Sequence, residues 1–305
     1  MSKKEKGSTL DLLTMKKVLI LLALFFFSLS LGKSVYWLKD GFSFRRIHSL
    51  TRQDDLGLDD SVHNALSQTF YYLGRGRQCF AFASEDGKYV LKFPRTDIYS
   101  TPFWARVLPV PTYRTRLESA HKERERLLRN SFQLSFHFLQ EETGLIAVHL
   151  GQTEKDSRML TVVDAAGSTH RFPLYKTSFV LQFKYPLLIP AFSKALEKGD
   201  QEGAQKILDA LIDVIVMRAK QGILNRDRSF LRNYGYDGRQ AYQIDIGSFF
   251  TNDQLEETAV YQKSIQDSID PIQEWLQEKA PAMLPRLKQR VDTELNNKLA
   301  SLKDC

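Results

Sequence analysis

The sequence predicts an α+β fold of two lobes, because segments typical of strands dominate its first half and segments typical of helices its second half. In the first half, the Asp86-Gly87 dipeptide lies between two runs of alternating apolar residues, which is the pattern of a β-hairpin. In the second half, apolar residues recur at helical spacing through residues 201–220. With 305 residues, 43% of them hydrophobic, the chain has enough apolar material for a sizeable core.

The N-terminal region carries an uninterrupted apolar run at residues 18–31, directly after two lysines. A basic segment before a short apolar run resembles a secretory signal peptide, and Ser30 and Gly32 are small residues at plausible cleavage positions. The run is short of the roughly 20 residues of a full membrane span. It also fits a short membrane anchor with Tyr36 and Trp37 at the interface. We therefore expect a membrane-associated or an exported protein; lysines on both sides of the run leave its orientation open.

The charge distribution argues against nucleic acid as a partner. The formal net charge is +7, and six lysines and two acids within the first 33 residues account for four of these charges. A nucleic-acid-binding domain normally carries a stronger basic patch than the remainder provides. Two cysteines, Cys79 and Cys305, allow one disulfide arithmetically, but neither a disulfide scaffold nor a zinc-binding spacing is present.

The order of predicted elements divides the chain into four parts. Residues 1–33 form the hydrophobic segment, 34–68 a linker with a short helix near 59–68, 69–184 an N-terminal lobe and 185–305 a helical C-terminal lobe. Gly222 ends the amphipathic helix of residues 201–220. The remaining elements are strands within 69–93 and at 145–150, 159–163, 170–174 and 178–183, a long helix at 113–139, and C-terminal helices broken at Pro271, Pro281 and Pro285.

A glycine-containing turn and a lysine form the first candidate for chemistry. Gly74 and Gly76 lie between two predicted strands, and Lys92 lies on the returning strand. Glycines let backbone amides approach a polyphosphate without hindrance from Cβ atoms, and a strand lysine supplies a fixed positive charge. The alternative interpretation is a plain hairpin turn.

Three oxygen-bearing side chains form the second candidate. Asp227 and Asn233 follow the helix that ends at Gly222, and Asp245 follows a short apolar strand. Carboxylate and amide oxygens suit Mg²⁺, and a carboxylate can orient a hydroxyl nucleophile. An Asp after a strand is also a common turn former, so a purely structural role for Asp245 stays open.

Taken together, these pieces resemble the protein-kinase-like superfamily, which includes aminoglycoside kinases and lipopolysaccharide-core sugar kinases. The resemblance covers about residues 70–250 and consists of the order of a glycine loop, a strand lysine, a helix, an Asp…Asn loop and a strand ending in Asp-x-Gly. It implies a two-lobe fold, with an antiparallel sheet and one long helix in the N-lobe and a reduced helical C-lobe. ATP and Mg²⁺ are the implied cofactors.

The resemblance also implies a role for each matching residue. Backbone groups near Gln182 and Phe183 would lead into the hinge that meets adenine. A glutamate of the long helix would pair with the strand lysine; Glu125 is favoured because it shares a stripe with Leu128 and Phe132, and Glu118 and Glu123 are the other candidates. The remaining roles are phosphate cover for Gly74 and Gly76, phosphate binding for Lys92, catalytic base for Asp227, metal ligand for Asn233 and principal Mg²⁺ ligand for Asp245.

The sequence departs from the superfamily pattern in ways that narrow the expected function. Cys79 stands where the third glycine usually lies, Asn225 replaces the usual histidine, and Asn233 follows Asp227 by six residues where five is usual. Only about 55 residues follow the Asp-x-Gly strand, too few for a full peptide-binding lobe. We therefore expect phosphorylation of a hydroxyl on a small molecule, sugar or lipid. The alternatives are a catalytically impaired kinase-like binding module and a secreted effector.

Overall fold

A computed structural model of the chain describes residues 6–47, 55–99, 111–151, 158–252 and 257–301. Eight α-helices lie within these ranges, joined by short 3-10 turns such as Phe44–Arg46 and Thr96–Tyr99. The helices are α1 (Lys6–Leu38), α2 (Asp60–Leu66), α3 (Pro111–Phe138), α4 (Gln140–Thr143), α5 (Leu188–Glu197), α6 (Gln201–Lys220), α7 (Glu257–Lys279) and α8 (Leu284–Ser301).

One eight-stranded sheet forms the framework of the N-lobe in the described part of the chain. Its order is β1-β5-β8-β4-β3-β2-β6-β7, and every neighbouring pair is antiparallel except β2 and β6. The strands are β1 (Asp55–Leu56), β2 (Thr69–Arg75), β3 (Cys79–Ser84), β4 (Tyr89–Pro94), β5 (Leu145–His149), β6 (Met159–Val163), β7 (Thr169–Pro173) and β8 (Phe179–Phe183).

Four shorter strands form two ribbons that support the loops after α6. Strands β10 (Tyr234–Tyr236) and β11 (Ala241–Gln243) pair as a hairpin. Strands β9 (Leu224–Asn225) and β12 (Phe249–Phe250) pair across a longer separation in sequence. Both pairings are antiparallel, so they bring the residues on either side of the candidate catalytic loop back onto one another.

The N-lobe core is built largely from aromatic side chains on alternate positions of the strands. Phe80 and Phe82 on β3 are fully buried, as is Phe93 on β4. Phe42 lies edge-on to the rings of Phe80 and Phe82, with centroid separations of 5.4 and 5.1 Å. Aromatic edge-to-face pairs of this kind add stabilisation beyond the burial of apolar area.

Residues that we assigned to a linker contribute to this core. Phe42, Ile47 and Val62 are buried in the same cluster as the sheet strands. The short helix expected near 59–68 is present as α2, and the Asp59 side chain caps it by accepting from the Val62 amide at 2.9 Å. The segment between α1 and β2 thus packs as part of the N-lobe.

Helix α1 carries the apolar run on its surface. The side chains described between Val18 and Phe27 are exposed, Phe26 by 64% and Phe27 by 67%. Among the residues that the structure describes, none of the helices is both long and apolar enough to span a membrane.

The α+β fold of two lobes predicted from the sequence is confirmed, and the order of elements is the one that the kinase-like resemblance implies. The four strands expected between residues 145 and 183 are present with bounds shifted by at most one residue. Two expectations were wrong. The sheet contains a parallel pair, β2 with β6, and Pro271 lies inside α7 without ending it.

Candidate active site

A cavity of about 320 Å³ lies between the glycine turn of the N-lobe and the loops that follow α6. This volume is at the lower end of the range for small-molecule sites. It is lined by residues of β2–β3, β4, α3 and the two loops, among them the four polar candidates Lys92, Asp227, Asn233 and Asp245. Residues far apart in sequence therefore converge at one place.

The glycine turn forms the roof of the cavity. The Gly76 amide donates to the Cys79 carbonyl at 2.8 Å, which closes a tight turn between β2 and β3. The Gln78 side chain of this turn lies over Gly247. A Cβ added at position 247 would be 1.8 Å from the Gln78 Oε1 atom. A Cβ at position 247 would therefore require the flexible Gln78 side chain to move away from its present place over Gly247.

Lys92 lies on β4 and lines the cavity beside the segment after β11 that contains Asp245. Its Nζ donates to the backbone carbonyl of Ile244. Burial lowers the pKa of the Lys92 ammonium below its usual value, and the neighbouring Asp245 carboxylate opposes part of that effect. The lysine is thus held as a desolvated cation next to a carboxylate.

The loop carrying Asp227 is organised by its own side chains. Gly222, in the left-handed conformation at φ +67°, ends α6 and leads into β9. The Asn225 side chain accepts from the Asp227 amide at 3.0 Å, and the Asp227 side chain accepts from the Ser229 amide at 2.9 Å. These successive turns hold one Asp227 oxygen on the loop backbone, and Asp227 lines the cavity.

The β10–β11 hairpin explains how Asn233 and Asp245 come together across twelve positions. Tyr234 pairs with Gln243, so the residues just outside this pair lie side by side. The Asn233 carbonyl accepts from the amides of Ile244 at 2.8 Å and Asp245 at 3.5 Å. The extra residue between Asp227 and Asn233 is therefore absorbed in the loop, and Asn233 still lies beside Asp245.

A buried arginine holds this hairpin against the C-lobe. Arg218 on α6 is 1% exposed, and it donates to the Gln243 side chain and, at 2.5 Å, to Ser268 Oγ on α7. No carboxylate among the described residues pairs with it. Because a buried cation is costly unless hydrogen-bonded, these contacts fix strand β11 and the Asp245 that follows it.

The side chains of Asn233 and Asp245 fit a magnesium ion only if a bound ligand supplies further oxygen atoms. Asn233 is buried and its Nδ2 has no hydrogen-bond partner, while Asp245 lies exposed at the cavity wall. Within the described residues there is no group of three or more His, Cys, Asp or Glu side chains suited to holding a metal by itself. Mg²⁺ commonly binds through one or two carboxylates together with phosphate oxygens, and Asp245 with Asn233 matches that pattern.

Three predicted nucleotide-binding residues are not brought to the cavity. Gly74 lies at an irregularity of β2, with no neighbouring atoms around the position of its missing Cβ. Gln182 is 1% exposed inside the sheet, where its Nε2 donates to the Thr143 carbonyl at 2.9 Å. The Phe183 amide donates to the Gly144 carbonyl at 2.8 Å, so it is already satisfied within the protein. Gln182 and Phe183 therefore do not line this cavity, and their role beside adenine stays a prediction.

The predicted pairing of Glu125 with Lys92 is not formed. Glu125 lies 3.6 Å from Arg129, one helical turn away on α3. Glu123, another candidate, pairs with Arg126 at 2.6 Å. Helix α3 presents Phe132 to the cavity, because its buried stripe packs apolar side chains against the sheet. Sequence spacing placed Glu125 on the correct stripe but at its exposed end.

Sequence reasoning missed three residues of the site. Gln78 and Arg232 line the cavity, and the buried Ser131 of α3 joins the two lobes. Ser131 Oγ donates to the Ile246 carbonyl at 2.5 Å and accepts from the Phe249 amide at 2.6 Å. A small polar residue on the apolar stripe of a helix is the signal that would have pointed to Ser131.

Comparisons with known proteins give a distant likeness in structure. No family model and no curated protein matches the chain. A crystal structure of WbdD matches with 16% identity and a TM-score of 0.35, over 72% of this chain and 45% of that chain. A structure described as the bifunctional kinase-methyltransferase WbdD matches with 18% identity and a TM-score of 0.32, over 81% and 49%.

A complex of WbdD with a kinase inhibitor also matches, with 18% identity and a TM-score of 0.32, over 72% of this chain and 45% of that chain. The chain spans about half the length of these solved structures.

Proposed function

We propose that the chain is an ATP–Mg²⁺-dependent phosphotransferase that acts on a hydroxyl of a small molecule, sugar or lipid. The observation that carries this proposal is the convergence of Lys92, Asp227, Asn233 and Asp245 on one cavity beneath a glycine turn. A cation, a carboxylate for the hydroxyl and two oxygen ligands for a metal are the parts that phosphoryl transfer requires.

Each residue has a distinct task in this proposal. Lys92 binds the phosphates of ATP, and Gly76 lets the turn cover them. Asp245 and Asn233 hold Mg²⁺, which neutralises charge that develops on the phosphates. Asp227 accepts the proton of the acceptor hydroxyl, and its half-buried position on the cavity wall fits that role.

The test is nucleotide binding and turnover by the purified full chain. We expect ATP with Mg²⁺ to raise the melting temperature, and Asp245→Ala to remove the Mg²⁺-dependent part of that increase. Asp227→Ala should bind ATP–Mg²⁺ normally but form ADP about 10²–10⁴-fold more slowly. Asp292→Asn, an exposed substitution on α8, is the matched control and should leave both measurements unchanged.

The proposal fails if ATP–Mg²⁺ does not stabilise the wild-type chain, or if Asp227→Ala turns over as fast as wild type. Nucleotide binding by the wild-type chain without ADP formation above background would instead favour the kinase-like binding module. Two observations favour that alternative: the Lys92 ammonium already donates to the Ile244 carbonyl, and no described carboxylate of α3 pairs with it.

We also propose that residues 18–31 place the domain at a lipid bilayer. The proposal is supported by the exposed apolar side chains on α1, which water solvates unfavourably. Fractionation of cells that express the full chain, with an alkaline carbonate wash, tests the attachment. Recovery in the soluble or extracellular fraction, with a new N-terminus near residue 33, would show an exported protein instead.

A further inference from the structure

A second cavity of about 360 Å³ adjoins the candidate active site. Arg77, Gln78 and Gly247 line both cavities. The Gln78 side chain lies over Gly247 and separates one cavity from the other. The other walls of the second cavity come from α3 and from the residues flanking the catalytic loop. A molecule whose hydroxyl reaches Asp227 could therefore extend into the second cavity.

Three arginines from separate parts of the chain line this second cavity. Arg77 comes from the glycine turn, Arg124 from α3 and Arg226 from the position before Asp227. The Arg226 guanidinium stacks on the Phe250 ring at 4.0 Å, and the Arg226 amide donates to the Ser248 carbonyl at 3.0 Å. This stacking holds the Arg226 guanidinium in place, and all three arginines are exposed.

The arginines are not neutralised within the described part of the chain. None of the three forms an ion pair with a described carboxylate, and no described Asp or Glu side chain lines the cavity. Glu123, the acid that acts on Arg226, is itself bonded to Arg126 through both of its oxygens. The remaining walls are apolar or backbone, from Ile98, Leu127 and Leu128 to Ser248.

We infer that this cavity, the arginine cavity, binds a phosphate monoester carried by the acceptor of the phosphoryl group. Three unpaired guanidinium groups around one space suit a dianion, because each can donate two parallel hydrogen bonds to phosphate oxygens. The inference rests on the proposed function for the identity of the acceptor, and it narrows that acceptor to one already bearing an anionic group.

The experiment titrates inorganic phosphate into the full chain saturated with ADP and Mg²⁺, following binding by calorimetry. Bound ADP fills the α- and β-phosphate positions, and a loss of phosphate binding in Arg124→Gln, whose side chain lines the second cavity and not the first, excludes the remaining γ-phosphate position. We expect Arg77→Gln and Arg124→Gln each to weaken phosphate binding about tenfold or more, since charge-assisted hydrogen bonds contribute that much. Arg116→Gln, an exposed arginine two turns away on the same helix, is the matched control.

Failure of this inference and failure of the proposed function give different results. If wild type does not bind ADP–Mg²⁺, the proposed function fails, and the phosphate titration is then made without nucleotide. If Arg124→Gln binds phosphate as wild type does, or Arg116→Gln loses as much, the arginine cavity is not the phosphate site.

Competition identifies the source of the phosphate group. Glucose 6-phosphate represents a phosphorylated sugar and a short-chain phosphatidate represents a lipid headgroup; we expect one of the two to displace phosphate at lower concentration. Neutral glucose should not compete. If glucose displaces phosphate as well as the phosphate esters do, or if neither ester displaces it, the inference is overturned.

Discussion

At the scale of single residues, the environment of Cys79 decides whether the cavity contains a reactive nucleophile. Burial raises the pKa of the Cys79 thiol to about 12, although the nearby Lys92 ammonium opposes that effect. The thiolate is the reactive form of cysteine, so a raised pKa makes the thiol inert at neutral pH. We interpret Cys79 as a small apolar residue in the position where the resemblance noted in the sequence would place a third glycine.

The resulting prediction concerns alkylation. In a Cys305→Ser background, native Cys79 should react with iodoacetamide at pH 8 roughly 10³-fold more slowly than an ordinary thiol, because its pKa of about 12, against the ordinary 9.0, leaves far less thiolate. The same chain in urea should react at the ordinary rate. Mass spectrometry over a time course measures both rates, and equal rates would show that the thiol is neither buried nor protonated.

At the scale of elements, Asp164 holds the end of α1 to the sheet. It accepts from Lys39 at 2.9 Å and from His170 at 2.7 Å, while its other oxygen accepts the Ala166 and Ser168 amides of the β6–β7 turn. Burial acts to raise the pKa of this carboxyl, but the hydrogen bonds from His170, Lys39 and Ser168 outweigh it and lower the pKa to about 2.

The sign of the pH dependence follows from that shift. Because the folded-state pKa lies below the ordinary value of 3.8, Asp164 stabilises the fold above pH 4 and loses this contribution as pH falls toward 2. Asp164→Asn should lower the free energy of unfolding by about 1–3 kcal/mol at pH 7. Urea denaturation at pH 7 and pH 2.5 measures this difference, which should shrink at the lower pH. A loss that is independent of pH would contradict the assignment.

Elements set by local patterns were predictable from the sequence, whereas contacts between distant elements were not. The hairpin at Asp86-Gly87 and helix α6 depend on turn chemistry and periodicity, and both were predicted. The burial of Phe42 was missed because it depends on a pocket formed by β3, which follows nearly forty residues later. Pro271 was wrongly expected to break a helix, since packing of α7 on α6 outweighs the lost hydrogen bond.

The same distinction applies to the candidate site. The motif order predicted that Lys92, Asp227, Asn233 and Asp245 line one cavity, because Lys92 lies on a strand and the other three follow a helix or strand that the sequence pattern indicates. The partner of Lys92 was not predictable, since a rotation of α3 by a fraction of a turn decides which side chain faces it. The roles of these residues remain predictions until the variants are measured.

At the scale of the whole molecule, the two lobes must keep a fixed relation if a nucleotide bound under the glycine turn is to meet Asp245. Ser131 supplies a polar link between them. It lies on α3, packs fully buried, and bonds to the segment just after Asp245 through its contacts with Ile246 and Phe249. Ser135, one turn further along the same face, is equally buried but bonds only to the Ser131 carbonyl of its own helix, at 2.8 Å.

These two serines form a matched pair for testing the link. Ser131→Ala leaves the Phe249 amide and the Ile246 carbonyl with one partner fewer in a buried place, and it should lower the free energy of unfolding by about 1–3 kcal/mol. Ser135→Ala removes a hydroxyl that competes with helical hydrogen bonding, and it should change stability by less than about 1 kcal/mol. Urea denaturation with and without ATP–Mg²⁺ separates stability from coupling: the stabilisation by nucleotide should fall in Ser131→Ala and stay at the wild-type value in Ser135→Ala. Equal nucleotide stabilisation in both variants would mean that the lobes hold their relation without Ser131, through the apolar contacts of α3 alone.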